Sequence, residues 1–405
     1  MKTICLLENT IQEYAWGSYT AIANLLGKKA PSDVPQAEIW MGAHPRASSM
    51  VMYQGNVISL QEQVSKYPED ILGKSTAGKF DNKLPYLFKV LAAAKPLSIQ
   101  AHPSIVQARE GFKRENDLNI SKDAPNRNYK DDNHKPECIC ALTTFWAMNG
   151  FRKISDILSL MEKVCPNSLG KELNGLEKKH DTYGLKQFFK CLMTLDQKAK
   201  KQVLSETINN AQKFEKLDPV FEWIIKLSKE YPGDIGILSP AMLNLICLEP
   251  GEAMFLFSGE LHAYLEGLGI ELMANSDNVL RGGLTPKHVD VSELLKVVNF
   301  QDRDIKILQC EEKNSNECIY PSRAEEFILS VISVDSKKNY TSQTGRSAEI
   351  LLCTDGQAII TDFDNDEDIS LKKGKSILVP ASVKTYSIKG KAVIYKASVN
   401  SLYSS

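Results

Sequence analysis

Missing from these 405 residues is any uninterrupted apolar run near the roughly 18–20 residues needed to cross a bilayer. The first apolar stretch, Ile4-Cys5-Leu6-Leu7, stops at Glu8 and is too short for a signal-peptide core, so a cytoplasmic protein is expected. An excess of charge is missing too. Lys and Arg number 49 against 50 Asp and Glu, a formal net charge of −1, which argues against nucleic acid or an anionic membrane as partner. Nine cysteines occur without a single CxxC pair. That usage suits buried thiols in a reducing compartment rather than a disulfide framework or a cysteine zinc site. Gly-rich phosphate loops, a Rossmann fingerprint and a GxSxG elbow are also absent. Histidine is scarce, with only six in the chain.

What is present is an ordinary globular balance, 43% hydrophobic and 24% charged, long enough for two or three domains. Residues 1 to about 150 read as short strands and turns. Leu84–Leu91 is an apolar run with one charge, Lys89, in its middle. From about 152 to 235 the pattern turns helical. Ser155 is expected to cap one helix, Asp196 another, and Asp218-Pro219 opens a third. Strands return after Pro240. There, Leu248–Leu256 can be laid over Leu371–Val379, each a turn feeding an apolar strand, as in a jelly roll. Extending the overlay puts His262 opposite Thr385, so only the first copy keeps a potential ligand. The acidic Asp362–Asp368 stretch reads as a solvated turn.

Three polar clusters interrupt this β-rich sequence. In Leu97-Ser98-Ile99-Gln100-Ala101-His102, period-two alternation puts Ser98, Gln100 and His102 on one face. Tyr129-Lys130-Asp131-Asp132-Asn133-His134-Lys135-Pro136-Glu137 precedes an apolar strand, with Lys135 and Glu137 on one side if extended. In the third, His262, Tyr264 and Glu266 alternate with Ala263 and Leu265; Glu271 and Arg281 follow. Three such faces suggest the polar lumen of one β-barrel. Gln100, His102, Glu137 and His262 could supply ligands to a zinc-like ion, although the set does not separate zinc from iron or manganese. Lys89, Lys135 and Arg281 add positive charge suited to a phosphate ester.

At these residues the chain resembles the type I mannose-6-phosphate isomerases, the phosphomannose isomerases. Tyr129–Glu137 fits the family motif Y-x-D-x-N-H-K-P-E at every specified position. His262–Lys287 fits the second motif, from HAY through MANSDN to TPK. Arg281-Gly282-Gly283 stands where the family usually has Arg-Ala-Gly, and Ile105 where it often has Lys. Further matches are Tyr14–Gly17, Ala37–Gly42 and Ser98–Pro103. The resemblance implies a mainly β fold of the cupin class with an α-helical insert. A cupin-type catalytic domain would span 1–151 and 236–325, a helical insert 152–235, and a C-terminal jelly roll 326–405. It also implies one Zn²⁺ on Gln100, His102, Glu137 and His262, interconversion of mannose 6-phosphate and fructose 6-phosphate, and an active-site arginine at Arg281. Trp16, Glu38, Lys89, Lys135, Tyr264 and Glu271 match residues placed around the family's pocket.

Aldose–ketose interconversion through an enediol(ate) needs a base at carbon, help for the oxygen-bound proton, and stabilisation of negative charge. Arg281 is unsuited as a base because guanidinium stays protonated. Lys135 and Glu271 both remain candidates for it, and Lys89 and Ser98 for holding phosphate. The partner expected is a small phosphosugar, acted on by a monomer. Rival readings are an isomerase of another phosphosugar, an iron oxygenase and a non-catalytic sugar-binding bicupin.

Overall fold

Strand Tyr86–Ala93 is buried at every position because its two faces serve different cores. Phe88, Val90 and Ala92 pack with Ile39, Cys138, Ile270 and Leu272 against Ile350, Leu352 and Leu378 of a second sheet. Lys89, Leu91 and Ala93 alternate to the opposite face. There Leu91 and Ala93 join Ile139, Ala141, Ala147 and Tyr264 inside a barrel. A strand with no solvated face reads as a continuous apolar run, which explains the isolated lysine within it.

The computed structural model describes residues 1–53, 55–314 and 316–400. Ten strands make the first sheet, ordered Leu243–Leu248, Phe145–Phe151, His262–Ala274, Tyr86–Ala93, Glu38–Met41 and Thr10–Gln12. Ile99–Ala101 and Glu137–Ala141 also pair with His262–Ala274. That long strand serves both halves of the barrel. Its first residues pair with Phe145–Phe151 and Ile99–Ala101, its later ones with Tyr86–Ala93 and Glu137–Ala141. The crossing is made at a bulge between Tyr264 and Glu266, followed by Gly267 at φ +135°. The bulge breaks the expected alternation: His262 and Tyr264 face inward, but Glu266 is exposed.

Gly267 is held to glycine twice over. A Cβ there would lie 2.8 Å from the Phe145 Cα and the Thr144 carbonyl, in a backbone region that L side chains rarely enter. Gly267→Ala should cost about 2–3 kcal/mol of stability, read as a lowered urea midpoint. A loss under about 0.5 kcal/mol, the size of an ordinary surface change, would show that the bend is not fixed there.

Between the β-rich parts lie helices Ile154–Val164, Gly170–Lys178, Thr182–Met193, Gln197–Phe214 and Pro219–Glu230. Asp196 and Asp218 cap as expected. Ser155 does not. The first of these helices begins at Ile154, whose amide donates to the distant Asp302 carboxylate. The mainly β architecture with its helical insert is as expected, and the two turn-and-strand segments agree locally. Gly251 and Gly374 sit at φ +89° and +79° just before strands Ala253–Leu256 and Ser376–Val379. The solvated turn expected over Asp362–Asp368 is shorter: residues 363–366 turn between strands Glu349–Asp362 and Glu367–Lys372, and Asp362 itself is buried.

Sheet membership departs from the expected segment boundaries. Strands Cys5–Glu8, Met50–Tyr53 and Asn56–Ser59 lie in the second, eleven-stranded sheet, with Cys5 opposite Leu378 and Leu7 opposite Val51. Glu311–Asn314 and Glu317–Tyr320 join the same sheet through Ile328–Val334. The expectation of thiols alone also fails at one place. Cys310 and Cys318 are disulfide-bonded across this hairpin, whereas Cys5, Cys138, Cys140, Cys165, Cys191, Cys247 and Cys353 are free.

Candidate metal centre

His102 follows strand Ile99–Ala101, Glu137 opens Glu137–Ala141, and His262 opens His262–Ala274, so three strand ends deliver one donor each. All three residues are buried. Nε2 of His102 stands 3.3 Å from Glu137 Oε1, and Nε2 of His262 stands 3.6 Å from Oε2. One donor atom from each lies within 4.8 Å of the others. Tetrahedral zinc, with bonds near 2.0–2.2 Å, separates its ligand atoms by roughly 3.3–3.6 Å, so the cluster has the right size for one such ion. His102 Nε2 is moreover buried without a hydrogen-bond partner.

The tautomers fit as well. His102 Nδ1 faces the Asn278 carbonyl at 2.7 Å, and His262 Nδ1 faces the Glu260 carbonyl at 3.0 Å. A carbonyl only accepts, so each Nδ1 carries the proton and each Nε2 turns a lone pair toward Glu137. Gln100 lies directly opposite His262 in register and therefore shares its face. Its Nε2 donates to Ser98 Oγ at 3.3 Å, leaving Oε1 as the amide's acceptor. The neutral imidazoles, the carboxylate and the amide oxygen form an N and O donor set that zinc accepts.

Above this cluster is a pocket of about 60 Å³. Lys89 Nζ lies 2.9 Å from Glu271 Oε2, 3.4 Å from Glu38 Oε1 and 5.3 Å from the centre of the Trp40 ring. Trp40 Nε1 donates to Glu38 Oε2 at 2.8 Å. Lys135 Nζ is 3.0 Å from Glu137 Oε1, and the Tyr264 hydroxyl donates to Oε2 at 3.3 Å. Burial drives His262 down to about 4 and also lowers His102, so both rings are neutral at pH 7. For Glu137, burial acts upward, but the Lys135 cation 3.0 Å away outweighs it and holds the carboxyl well below its usual range. Glu271 goes the other way. Burial raises it, Lys89 only partly opposes this, and Glu137 and Glu38 raise it further. Burial disfavours the Lys89 ammonium, yet Glu271 and Glu38 outweigh that and keep it charged.

The structure thus gathers Glu38, Lys89, Ser98, Gln100, Lys135, Glu137, His262, Tyr264 and Glu271 around one pocket, with His102 packed against Glu137 and His262. Trp16 is outside the lining; it packs on the barrel cluster with its ring 5.8 Å from Tyr14. Arg281 is also outside the lining but sits opposite Gln100 in register, one strand further along the same face. It is half-buried, and no carboxylate among the described residues pairs with it. Burial lowers the pKa of Lys287, and neighbouring Arg281 and Lys130 lower it further, which marks a cluster of cations. Lys89, by contrast, is already matched by two carboxylates, an unfavourable place for a phosphate. His134 turns away, its Nε2 2.6 Å from Glu326 Oε1 on a wide groove. Sequence reasoning passed over Trp40, which lies two residues beyond Glu38 on the same strand face, and Lys287, which ends a motif already noted. The two carbonyl partners of the histidines left no side-chain signal.

Residues 4–154 match the family described as phosphomannose isomerase type I, catalytic domain. Residues 160–243 match its helical insertion domain, and 316–398 match the mannose-6-phosphate isomerase cupin domain. The mannose-6-phosphate isomerase of Escherichia coli (strain K12) is 40% identical over 386 residues, 95% of this chain and 96% of that protein. The chain belongs to the type I phosphomannose isomerase family. The human mannose-6-phosphate isomerase is 34% identical, with 93% of each chain covered. Among solved structures, a lysine-to-alanine mutant of phosphomannose isomerase from Salmonella typhimurium superposes with a TM-score of 0.92 at 37% identity. The match covers 98% of this chain and 99% of that one. A zinc-bound holo mannose 6-phosphate isomerase gives a TM-score of 0.90 at 37% identity and the same coverage. Family membership therefore extends over the barrel, the helical insert and the C-terminal sheet.

Proposed function

We propose that this protein interconverts mannose 6-phosphate and fructose 6-phosphate, using one zinc ion held by Gln100, His102, Glu137 and His262. The observation that carries the reading is the orphaned, buried Nε2 of His102 facing Glu137 and His262, in a chain similar throughout to isomerases of this name. Bound there, zinc supplies a Lewis acid that polarises substrate oxygen. In the aldose-to-ketose direction Glu271 takes the C2 proton, its proton affinity raised by burial. Lys135, whose Nζ lies 3.0 Å from Glu137 Oε1, gives a proton to O1, and an enediol results. Glu271 then returns its proton to C1 while Lys135 recovers the O2 proton. Each carries one proton out and one back.

Lys89 fixes Glu271 by charge and is itself held by Glu38, Trp40 orients Glu38, and Tyr264 steadies Glu137. Ser98 holds the Gln100 amide. Arg281, with Lys287 beside it, grips the phosphate, since no carboxylate among the described residues matches its charge. Trp16 forms part of the rim with Tyr14. Every residue given a role except Trp40, Tyr14 and Lys287 was assigned to the pocket from the sequence, and all fall within 1–151 and 236–325. That supports treating those segments as carrying the catalytic domain, with 152–235 as the insert, while the C-terminal jelly roll of 326–405 also takes in strands Cys5–Glu8, Met50–Tyr53, Asn56–Ser59, Glu311–Asn314 and Glu317–Tyr320. The seven free thiols support a reducing cytoplasm, with Cys310–Cys318 the one bonded pair against it.

Stripping the metal with a chelator should leave below about 1% of the isomerase activity, restored by one equivalent of zinc. Full activity in protein shown metal-free by elemental analysis would overturn the reading. Faster formation of fructose 6-phosphate from glucose 6-phosphate than from mannose 6-phosphate would replace the substrate assignment.

A further inference from the structure

We propose that Asn278 is the positioning residue that joins the zinc-binding face of His102 to the loop carrying Lys135 and Glu137, so that the two are set as one unit. Asn278 has no exposed surface. Its backbone carbonyl accepts the His102 Nδ1 proton at 2.7 Å, and this fixes which ring nitrogen is free. Its side chain is used to capacity on the other side. Oδ1 accepts the backbone N–H of Lys130 at 2.7 Å and of Asp131 at 3.2 Å. Nδ2 donates to the carbonyls of Asp131 at 2.9 Å and Asn133 at 2.8 Å, with the Asp131 carboxylate 3.2 Å away.

A primary amide has two acceptor lone pairs and two donor hydrogens, and here all four directions are taken by one loop. That loop runs directly on to Lys135 and Glu137. The carboxylate of Asp131 ties the same loop back through the Asp277 N–H at 2.7 Å and the Ser276 hydroxyl at 2.7 Å. Residues 276–278 therefore form a buried clamp, with His102 on one side and the segment delivering Glu137 on the other. Neither Asp nor Ala reproduces this set of bonds. Asp keeps the acceptor but sets a carboxylate oxygen against two carbonyls. Ala removes the Asn278 partner of four part-buried backbone groups of the loop, of which the Asn133 carbonyl keeps the Ser276 hydroxyl at 3.2 Å.

The inference rests on the zinc site proposed above, and the test separates the two. Zinc affinity of the full chain is measured by chelator competition, below the melting temperatures, for the wild type, Asn278→Asp and Asn278→Ala. The wild type should bind one zinc, and both variants should bind it about 10–100-fold more weakly, as for loss of other groups that orient ligands. A merely structural role would lower melting temperature and leave the affinity of the folded protein unchanged. Variant affinities within twofold of the wild type would overturn the inference. Failure of the wild type itself to bind zinc would instead defeat the site assignment. Should both variants fail to fold, nitrogen-15 NMR of histidine-labelled wild-type protein without metal decides. His102 should be a single Nδ1–H tautomer with a slowly exchanging proton, and an Nε2–H form or a mixture would overturn the proposal.

Discussion

Glu137→Gln should lower isomerase turnover by about 10³-fold or more, equivalent to roughly 4 kcal/mol of transition-state stabilisation. The substitution keeps the shape of the side chain and an oxygen for the Tyr264 hydroxyl, so the fold should survive. What disappears is the only negative charge between two neutral imidazoles and an amide. The proposed donor set would fall from −1 to 0, and zinc content should fall with activity. The same change releases Lys135, whose ammonium lies 3.0 Å from Glu137 Oε1, so proton delivery to substrate oxygen is disturbed as well. Elemental analysis beside the assay checks both effects. A variant that retained zinc and at least a tenth of wild-type turnover would mean that the carboxylate is not a ligand.

The second large effect concerns the base. In D₂O, Glu271→Gln should abolish deuterium incorporation at C2 and reduce turnover by about 10²–10⁴-fold, the usual range for a general base. Lys89 keeps Glu38 at 3.4 Å in that variant, so the buried ammonium is not stranded. Lys135→Ala should slow turnover but leave C2 exchange, because proton transfer to oxygen rather than from carbon is affected. The opposite pattern, exchange retained without Glu271 and lost without Lys135, would move the base to Lys135. The geometry favours Glu271 because each lysine of the pocket already has a carboxylate within 3.0 Å, whereas burial gives Glu271 added proton affinity.

Much of this site was legible in the chain because strands print their faces with period two. Gln100 and Ser98, Lys135 and Glu137, and His262 and Tyr264 each share a face, as alternation suggested. The helix caps at Asp196 and Asp218 were equally plain, since a cap and the amide it satisfies are neighbours in sequence. Features depending on distant contacts were not visible. Ile154 is capped by Asp302, and His134 is held by Glu326, partners no local pattern announces. The N-terminal strand Cys5–Glu8 pairs with Ser376–Val379, at the other end of the chain. A single bulge after Tyr264 was enough to send Glu266 outward, because one extra residue inverts every later side chain. Family resemblance supplied the ligand set as a set; alternation alone offered the same residues with their metal left open.

Zinc-edge anomalous diffraction from crystals of the purified protein tests the central claim most directly. One peak is expected, roughly 2.0–2.2 Å from His102 Nε2, His262 Nε2 and a Glu137 oxygen, with Gln100 Oε1 turned toward it. A peak held by other residues, or none at this cluster in crystals of active enzyme, would contradict the account.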